Sequence, residues 1–157
     1  MFSNVLEVGC GTGQMSLFLS RFKRQIFSID LSTGSLNLAE NFRKKNDIEN
    51  VFFFKMSVFN LFFRKDFFDV IISNGVLHHT ANPKLAFEEL TKYLKKDGYI
   101  VFEIPDCQRA FEKRDYTTLW EEHAIYFTQK TFKCGILWHE YKAKSHKATH
   151  CTLLRSS

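Results

Sequence analysis

The sequence predicts an α/β fold: a mostly parallel, doubly wound sheet of about five strands with helices on both faces. Three observations point to it. Short apolar runs alternate with stretches of helical periodicity over roughly the first two-thirds of the chain, the order that produces parallel strands joined by right-handed crossovers. The runs are continuously apolar rather than alternating, as expected where helices cover both faces of a sheet. A glycine-rich turn, "VGCGTG", stands between the first strand and the first helix.

The elements follow in order. "NVLEV" (4–8) is a short buried strand, and "GQMSLFLSRF" (13–22) a helix whose Leu17, Phe18 and Phe22 share a stripe. "QIFSID" (25–30) is the second strand. Ser32 or Thr33 caps the helix "STGSLNLAENFRKK". "NVFFFK" (50–55) is the third strand, and its run of Phe52, Phe53 and Phe54 is assigned to a buried central position. "FDVIISN" (68–74), with a β-branched centre, is the fourth. In "NPKLAFEELTKYLKKDG", Asn82 caps a helix, Pro83 fills its first turn and Gly98 follows its basic end. "YIVFEI" (99–104) is the fifth strand, stopped by Pro105. Beyond it the pattern weakens. Residues 106–141 read as a helical region with Thr128 capping one helix, and 142–157 as a poorly patterned basic tail. One domain over 1–157, with its core at 4–105, accounts for the whole chain.

Composition narrows the function classes. The chain has 157 residues, 18 of them Phe, and a formal net charge of +5. No apolar run is long enough to span a membrane, and no secretory signal opens the chain. The four cysteines, Cys10, Cys107, Cys134 and Cys151, form no CxxC pair, which fits a reduced, cytoplasmic protein. Cys134, His139, His146, His150 and Cys151 match no standard zinc spacing, so no metal is expected. The basic tail allows a nucleic-acid partner, but a solvated end explains it as well.

Gly9, Gly11 and Gly13 give the turn the freedom to adopt positive φ and let a ligand approach the backbone closely. Their place at the C-terminal edge of a parallel sheet marks a nucleotide-type site. The spacing is G-x-G-x-G; a dinucleotide fingerprint would put glycine where Gln14 stands, and no Gly-Lys-Ser/Thr follows for a phosphate loop.

"VLEVGCGTG" resembles motif I of class I S-adenosylmethionine-dependent methyltransferases, which share a Rossmann-like fold. "IFSIDLS" resembles the family's second strand, and "FDVIISNGVLHHTANPKLAFEELTKYLKKDGYIVFEIP" its fourth strand, following helix and fifth strand. The likeness covers about residues 4–105 with its landmarks in order. It implies S-adenosyl-L-methionine as cofactor and a small-molecule acceptor. It places Glu7, Gly9, Cys10, Gly11, Gly13, Asp30, Leu31, Ser57, Val58 and Asn74 at the cofactor: Glu7 ordering the turn, Asp30 accepting from the ribose hydroxyls and Leu31 packing on the adenine.

The sequence also departs from the family. Ser57 stands where an acid usually meets the adenine amino group, and Phe62 where a proline is usual. The chain looks short at both ends, with only residues 1–4 before motif I and the C-terminal antiparallel hairpin incomplete or missing. His78 and His79, after the fourth strand, and His123, in "EEHAIYF", are candidate bases or acceptor contacts. Helix packing explains the first two equally well, and an ordinary surface position the third. An RNA or protein methyltransferase and a non-catalytic methyltransferase-like protein are the competing readings.

Overall fold

The computed structural model describes residues 3–103, 107–114, 128, 130 and 131. Five parallel strands form one sheet in the order β3-β2-β1-β4-β5: β1 (Ser3–Val8), β2 (Arg24–Asp30), β3 (Val51–Lys55), β4 (Phe68–Asn74) and β5 (Leu94–Glu103). The expected Rossmann-like, doubly wound sheet is therefore present. Chain direction reverses its march across the sheet between β1 and β4, the switch point where such folds open a crevice.

Helices α1 (Gln14–Leu19) and α2 (Thr33–Lys45) follow β1 and β2, and α3 (Pro83–Thr91) precedes β5. The two sheet faces carry separate cores. One gathers Val5, Leu19, Ile26 and Val51 with Phe53, Val70 and Ile72 packed against them. The other joins Leu6, Val8, Ile29, Phe68, Ile71, Ile100 and Phe102 to Ala86, Phe87 and Leu90 of α3. Phe27 lies at the centre of an aromatic group on this second side, with Phe63, Phe67 and Phe68 meeting its ring edge-on at 5.4–5.8 Å.

Caps fall where the residue types direct them. Ser32 Oγ accepts from the Ser35 amide at 3.2 Å, and Asn82 Oδ1 accepts from the Leu85 amide at 3.0 Å. Each satisfies an amide that the first helical turn leaves without a partner. Thr128 Oγ1 accepts from the Thr131 amide at 3.2 Å, as expected of its capping role, and Lys130 and Thr131 are helical.

Three sequence expectations fail here. The expected helix through Lys96 stops at Thr91, and the next strand begins at Leu94 rather than Tyr99. The Phe67 and Phe68 amides both bond the Tyr93 carbonyl, drawing this stretch onto β4, with a register shift opposite Phe68–Val70. Gly98 is no helix cap: a Cβ there would lie 2.9 Å from the Asp69 carbonyl oxygen. Second, β3 is an edge of the described sheet, not a central strand, and Phe52 is 39% exposed. Third, α1 buries Ser16 and Leu19 while Phe18 and Phe22 stand exposed, so the Leu17/Phe18/Phe22 stripe is not its inward face.

Among the described residues no helix is long and apolar enough to cross a membrane. Most of the 106–141 region, the basic tail and Pro105 lie outside the described residues, as does the region where the antiparallel hairpin is expected to be incomplete or missing.

Candidate functional site

The turn after β1 is built by hydrogen bonds to the end of β2 and by glycines at positive φ. The Gly9 and Cys10 amides both donate to the Ile29 carbonyl, at 2.8 and 3.1 Å, folding the turn over the end of β2. Gly9, Gly11 and Gly13 have φ of 71°, 53° and 78°. Their reasons differ. A Cβ on Gly9 would strike Val76, and one on Gly13 would lie 2.8 Å from the Phe53 ring and 3.0 Å from Ala39. Gly13 thus lets α1 close onto its neighbours. A Cβ on Gly11 would meet nothing within 4 Å, because that position faces open space.

Asp30 closes this arrangement from β2. Its Oδ2 accepts from the Gly11 amide and its Oδ1 from the Ser32 amide, each at 2.8 Å. A carboxylate oxygen has a second lone pair, so both retain acceptor capacity toward the open edge.

Glu7, at the end of β1, is 4% exposed. Burial raises its pKa to about 6, with the Asp30 charge adding to the rise and hydrogen bonds from Ser16 opposing it. The Ser16 hydroxyl donates to Glu7 Oε2, and Ser28 Oγ lies 2.5 Å from Ser16 Oγ. Burial, followed by the Glu7 and Asp30 charges, pushes the Cys10 thiol up to about 12, so it stays protonated at neutral pH.

Above the turn lies an open pocket of about 580 Å³, lined by Glu7, Gly9, Cys10, Gly11, Thr12, Gln14, Met15, Phe18 and Asn74. Five residues anticipated from sequence therefore converge: Glu7, Gly9, Cys10, Gly11 and Asn74. Asp30 joins them through its bond to Gly11, and Leu31 beside it is 68% exposed. Ser57 lies past β3, where its hydroxyl accepts from the Phe59 amide at 3.3 Å.

Other anticipated residues fall elsewhere. The Val58 side chain is packed into the α3-side core, which leaves only its backbone for a ligand. His78 is 3% exposed, with its ring centroid 4.2 Å from that of His79, and neither borders the pocket. A short 3-10 turn, Leu77–His79, holds both. This placement favours the packing alternative for His78. His123 and the Cys134–Cys151 group lie outside the described residues.

The sequence reading missed Ser16, Ser28, Thr12, Gln14, Met15 and Phe18. The available signal was register: Ser28 pairs with Glu7 across β1 and β2, and so shares its face of the sheet.

A sequence model of the family described as "Methyltransferase domain" matches residues 3–149. The chain belongs to the methyltransferase domain family. This methyltransferase domain is 30% identical over 94 residues to the uncharacterized methyltransferase YcgJ of Bacillus subtilis, covering 60% of the chain and 37% of the relative. It is 29% identical over 102 residues to a malonyl-[acyl-carrier protein] O-methyltransferase of Paenibacillus sp., covering 62% and 37%. The matched stretches thus cover well under half the length of these relatives. The crystal structure of YcgJ superposes with a TM-score of 0.75 at 22% identity, over 87% of this methyltransferase domain and 61% of that chain, a likeness of fold. A SAM-dependent methyltransferase from Aquifex aeolicus gives a TM-score of 0.58 at 26% identity, over 62% and 54%.

Proposed function

We propose that this methyltransferase domain binds S-adenosyl-L-methionine across the β1–α1 turn and transfers its methyl group to a small-molecule acceptor. The observation that supports this best is the Gly11–Asp30 hydrogen bond. It sets the acid that ends β2 against the glycine turn that ends β1, at the open edge of a parallel sheet. The site suits the cofactor in size and charge. The pocket of about 580 Å³ falls within the ordinary range for small ligands, and two carboxylates flank the turn.

Each group then has a task. Asp30 offers its remaining lone pairs to two ribose hydroxyls. Glu7 offers a carboxylate to the ammonium of the amino-acid end. Gly11 leaves room above the turn, while Met15 and Phe18 supply an apolar wall. When bound, the cofactor supplies a methyl group on a positively charged sulfur, so transfer is an in-line displacement. The chain contributes alignment and exclusion of water. Relatives named as malonyl-[acyl-carrier protein] O-methyltransferases make a carboxylate one acceptor class to test.

Calorimetric titration with S-adenosylhomocysteine tests the binding step. Wild type binds in the micromolar range, and Asp30→Ala loses on the order of a hundredfold, the value of two hydrogen bonds to a charged group. Equal affinity in the two proteins would overturn the assignment. A second reading, a non-catalytic methyltransferase-like protein, is favoured by Ser57, an uncharged side chain already engaged with the Phe59 amide where an acid would meet the adenine amino group. Transfer of labelled methyl to a panel of carboxylate, amine and phenol acceptors separates the two readings.

A further inference from the structure

We propose that Ser16 and Ser28 are positioning residues: a buried chain of hydroxyls, running from β2 through α1, that fixes the Glu7 carboxylate for the amino-acid end of the cofactor. The proposal rests on the functional reading above and adds two residues to it. Ser16 and Ser28 are both 0% exposed, on elements otherwise selected for apolar burial. Polar groups buried this completely are costly unless bonded, and here they bond one another and an acid.

The direction of the chain follows from proton counting. A serine hydroxyl has one proton. Ser16 donates its proton to Glu7 Oε2, so the contact of 2.5 Å between the serine oxygens is made by the Ser28 proton. Ser28 donates to Ser16, and Ser16 to Glu7. Register supplies the reason: Ser28 and Ile72 stand opposite Glu7 on the flanking strands, and α1 covers that face with Ser16 downward. Glu7 alone of the three borders the pocket, so the serines act on a ligand only through it.

The arrangement also controls charge. Burial works against ionisation of Glu7, and the Ser16 hydrogen bonds work for it. The titratable group whose charge acts on Glu7 is Asp30 at the end of β2, which raises its pKa; the Cys10 thiol in the turn is uncharged over this range, α1 brings hydrogen bonds from the Ser16 hydroxyl and backbone, and β4 the apolar Ile72. None of these groups supplies a positive charge, so hydrogen bonds are what offset burial, the Ser16 hydroxyl first and the Ser16 backbone after it.

Two measurements on the full chain test this. First, the Glu7 carboxyl is titrated by carbon NMR without ligand, in wild type, Ser16→Ala and Ser28→Ala. Loss of a charge-assisted hydrogen bond raises the Glu7 midpoint by about one pH unit in Ser16→Ala, with a smaller rise in Ser28→Ala. Second, S-adenosylhomocysteine affinity is measured between about pH 5 and 8. Its acid-side midpoint moves up with the NMR midpoint, and Ser16→Ala binds about tenfold more weakly where only the wild-type carboxylate is ionised. Should Ser16→Ala not fold, Ser28→Ala, which removes only the outer hydroxyl, carries both tests. An unchanged Glu7 midpoint, or an affinity loss equal at every pH, overturns the proposal. A shifted midpoint in a protein whose wild type binds no cofactor leaves the hydroxyl chain standing and overturns the functional reading instead.

Discussion

Replacing Gly9 with Ala tests the geometry on which the site depends. Gly9 has φ of 71°, in the left-handed region, and a Cβ there would lie 2.2 Å from Val76 Cγ2 and 2.9 Å from Cγ1. Two costs follow. An L-residue in that backbone region costs roughly 1–2 kcal/mol. Forcing a methyl group against a packed side chain costs about 1–3 kcal/mol more. Gly9→Ala is thus expected to lose about 2–5 kcal/mol, a large part of the ~5–15 kcal/mol that stabilises a domain. The two costs separate experimentally. Gly11 has φ of 53° with nothing within 4 Å of its would-be Cβ, so Gly11→Ala shows the conformational cost alone. Val76→Ala removes both clashing methyls at a cost of about 1.5 kcal/mol. The double variant Gly9→Ala/Val76→Ala therefore recovers the steric part, with a coupling of about 1–3 kcal/mol. Urea unfolding at constant m-value measures wild type and the four variants. If Gly9→Ala lies within about 0.5 kcal/mol of wild type, or its cost adds to that of Val76→Ala without coupling, the reasoning about this turn is wrong.

Four further outcomes are expected. Glu7, raised from 4.5 to about 6 mainly by burial, binds its proton more readily folded than unfolded. Ligand-free stability therefore falls as pH rises through that window, and Glu7→Gln is more stable by about 2 kcal/mol above it while binding S-adenosylhomocysteine more weakly; thermal melts against pH check this. With its thiol pushed up to about 12 and its side chain buried, Cys10 resists alkylation in the native protein at mildly alkaline pH and reacts once urea unfolds the chain, as mass spectrometry of the Cys10 peptide would show. Phe68 is fully buried among Phe27, Phe63 and Phe67, so Phe68→Ala loses about 3–5 kcal/mol in urea unfolding. Ser57→Asp places a charge at the end of β3 for the adenine amino group and tightens S-adenosylhomocysteine binding; calorimetry showing no gain would separate Ser57 from the site.

What the sequence made legible was what local pattern decides. "NVLEV" and "FDVIISN" are strands because their apolar runs are short and bounded, and both appear within one residue of expectation. The turn glycines were identifiable from their spacing between a strand and a helix, and Asp30 from the resemblance of "IFSIDLS" to the family's second strand. The start of β5 was not legible. Lysines followed by glycine, as in "LKKDG", are what a helix end looks like, yet the Phe67 and Phe68 amides bond the Tyr93 carbonyl and Lys95 pairs with Asp69 at 2.8 Å. Those partners lie more than twenty residues away, beyond the reach of any window on the sequence. The edge position of β3 was hidden for a related reason: "VFFFK" is apolar enough for a strand covered on both sides, and only the order of strands shows that no described neighbour lies beyond it.

The roll of α1 about its own axis is the most informative of these misreadings. Apolar periodicity would turn Phe18 and Phe22 inward, and they are 55% and 51% exposed while Ser16 is 0% exposed. Leaving a phenylalanine out of the core forgoes about 1.5–3 kcal/mol, so hydrophobic burial alone favours the other roll. The opposing cost lies on β1. A buried carboxylate without a donor costs more than a misplaced aromatic ring, and Ser16 is the donor that α1 brings to Glu7. The helix therefore turns its serine down, and the same rotation carries Met15 and Phe18 to the wall of the pocket. The acid at the end of β1 thus sets both the polar floor of the pocket and its apolar side. A sequence pattern that scores α1 by hydrophobicity alone misses the rotation because the deciding partner, Glu7, belongs to another element.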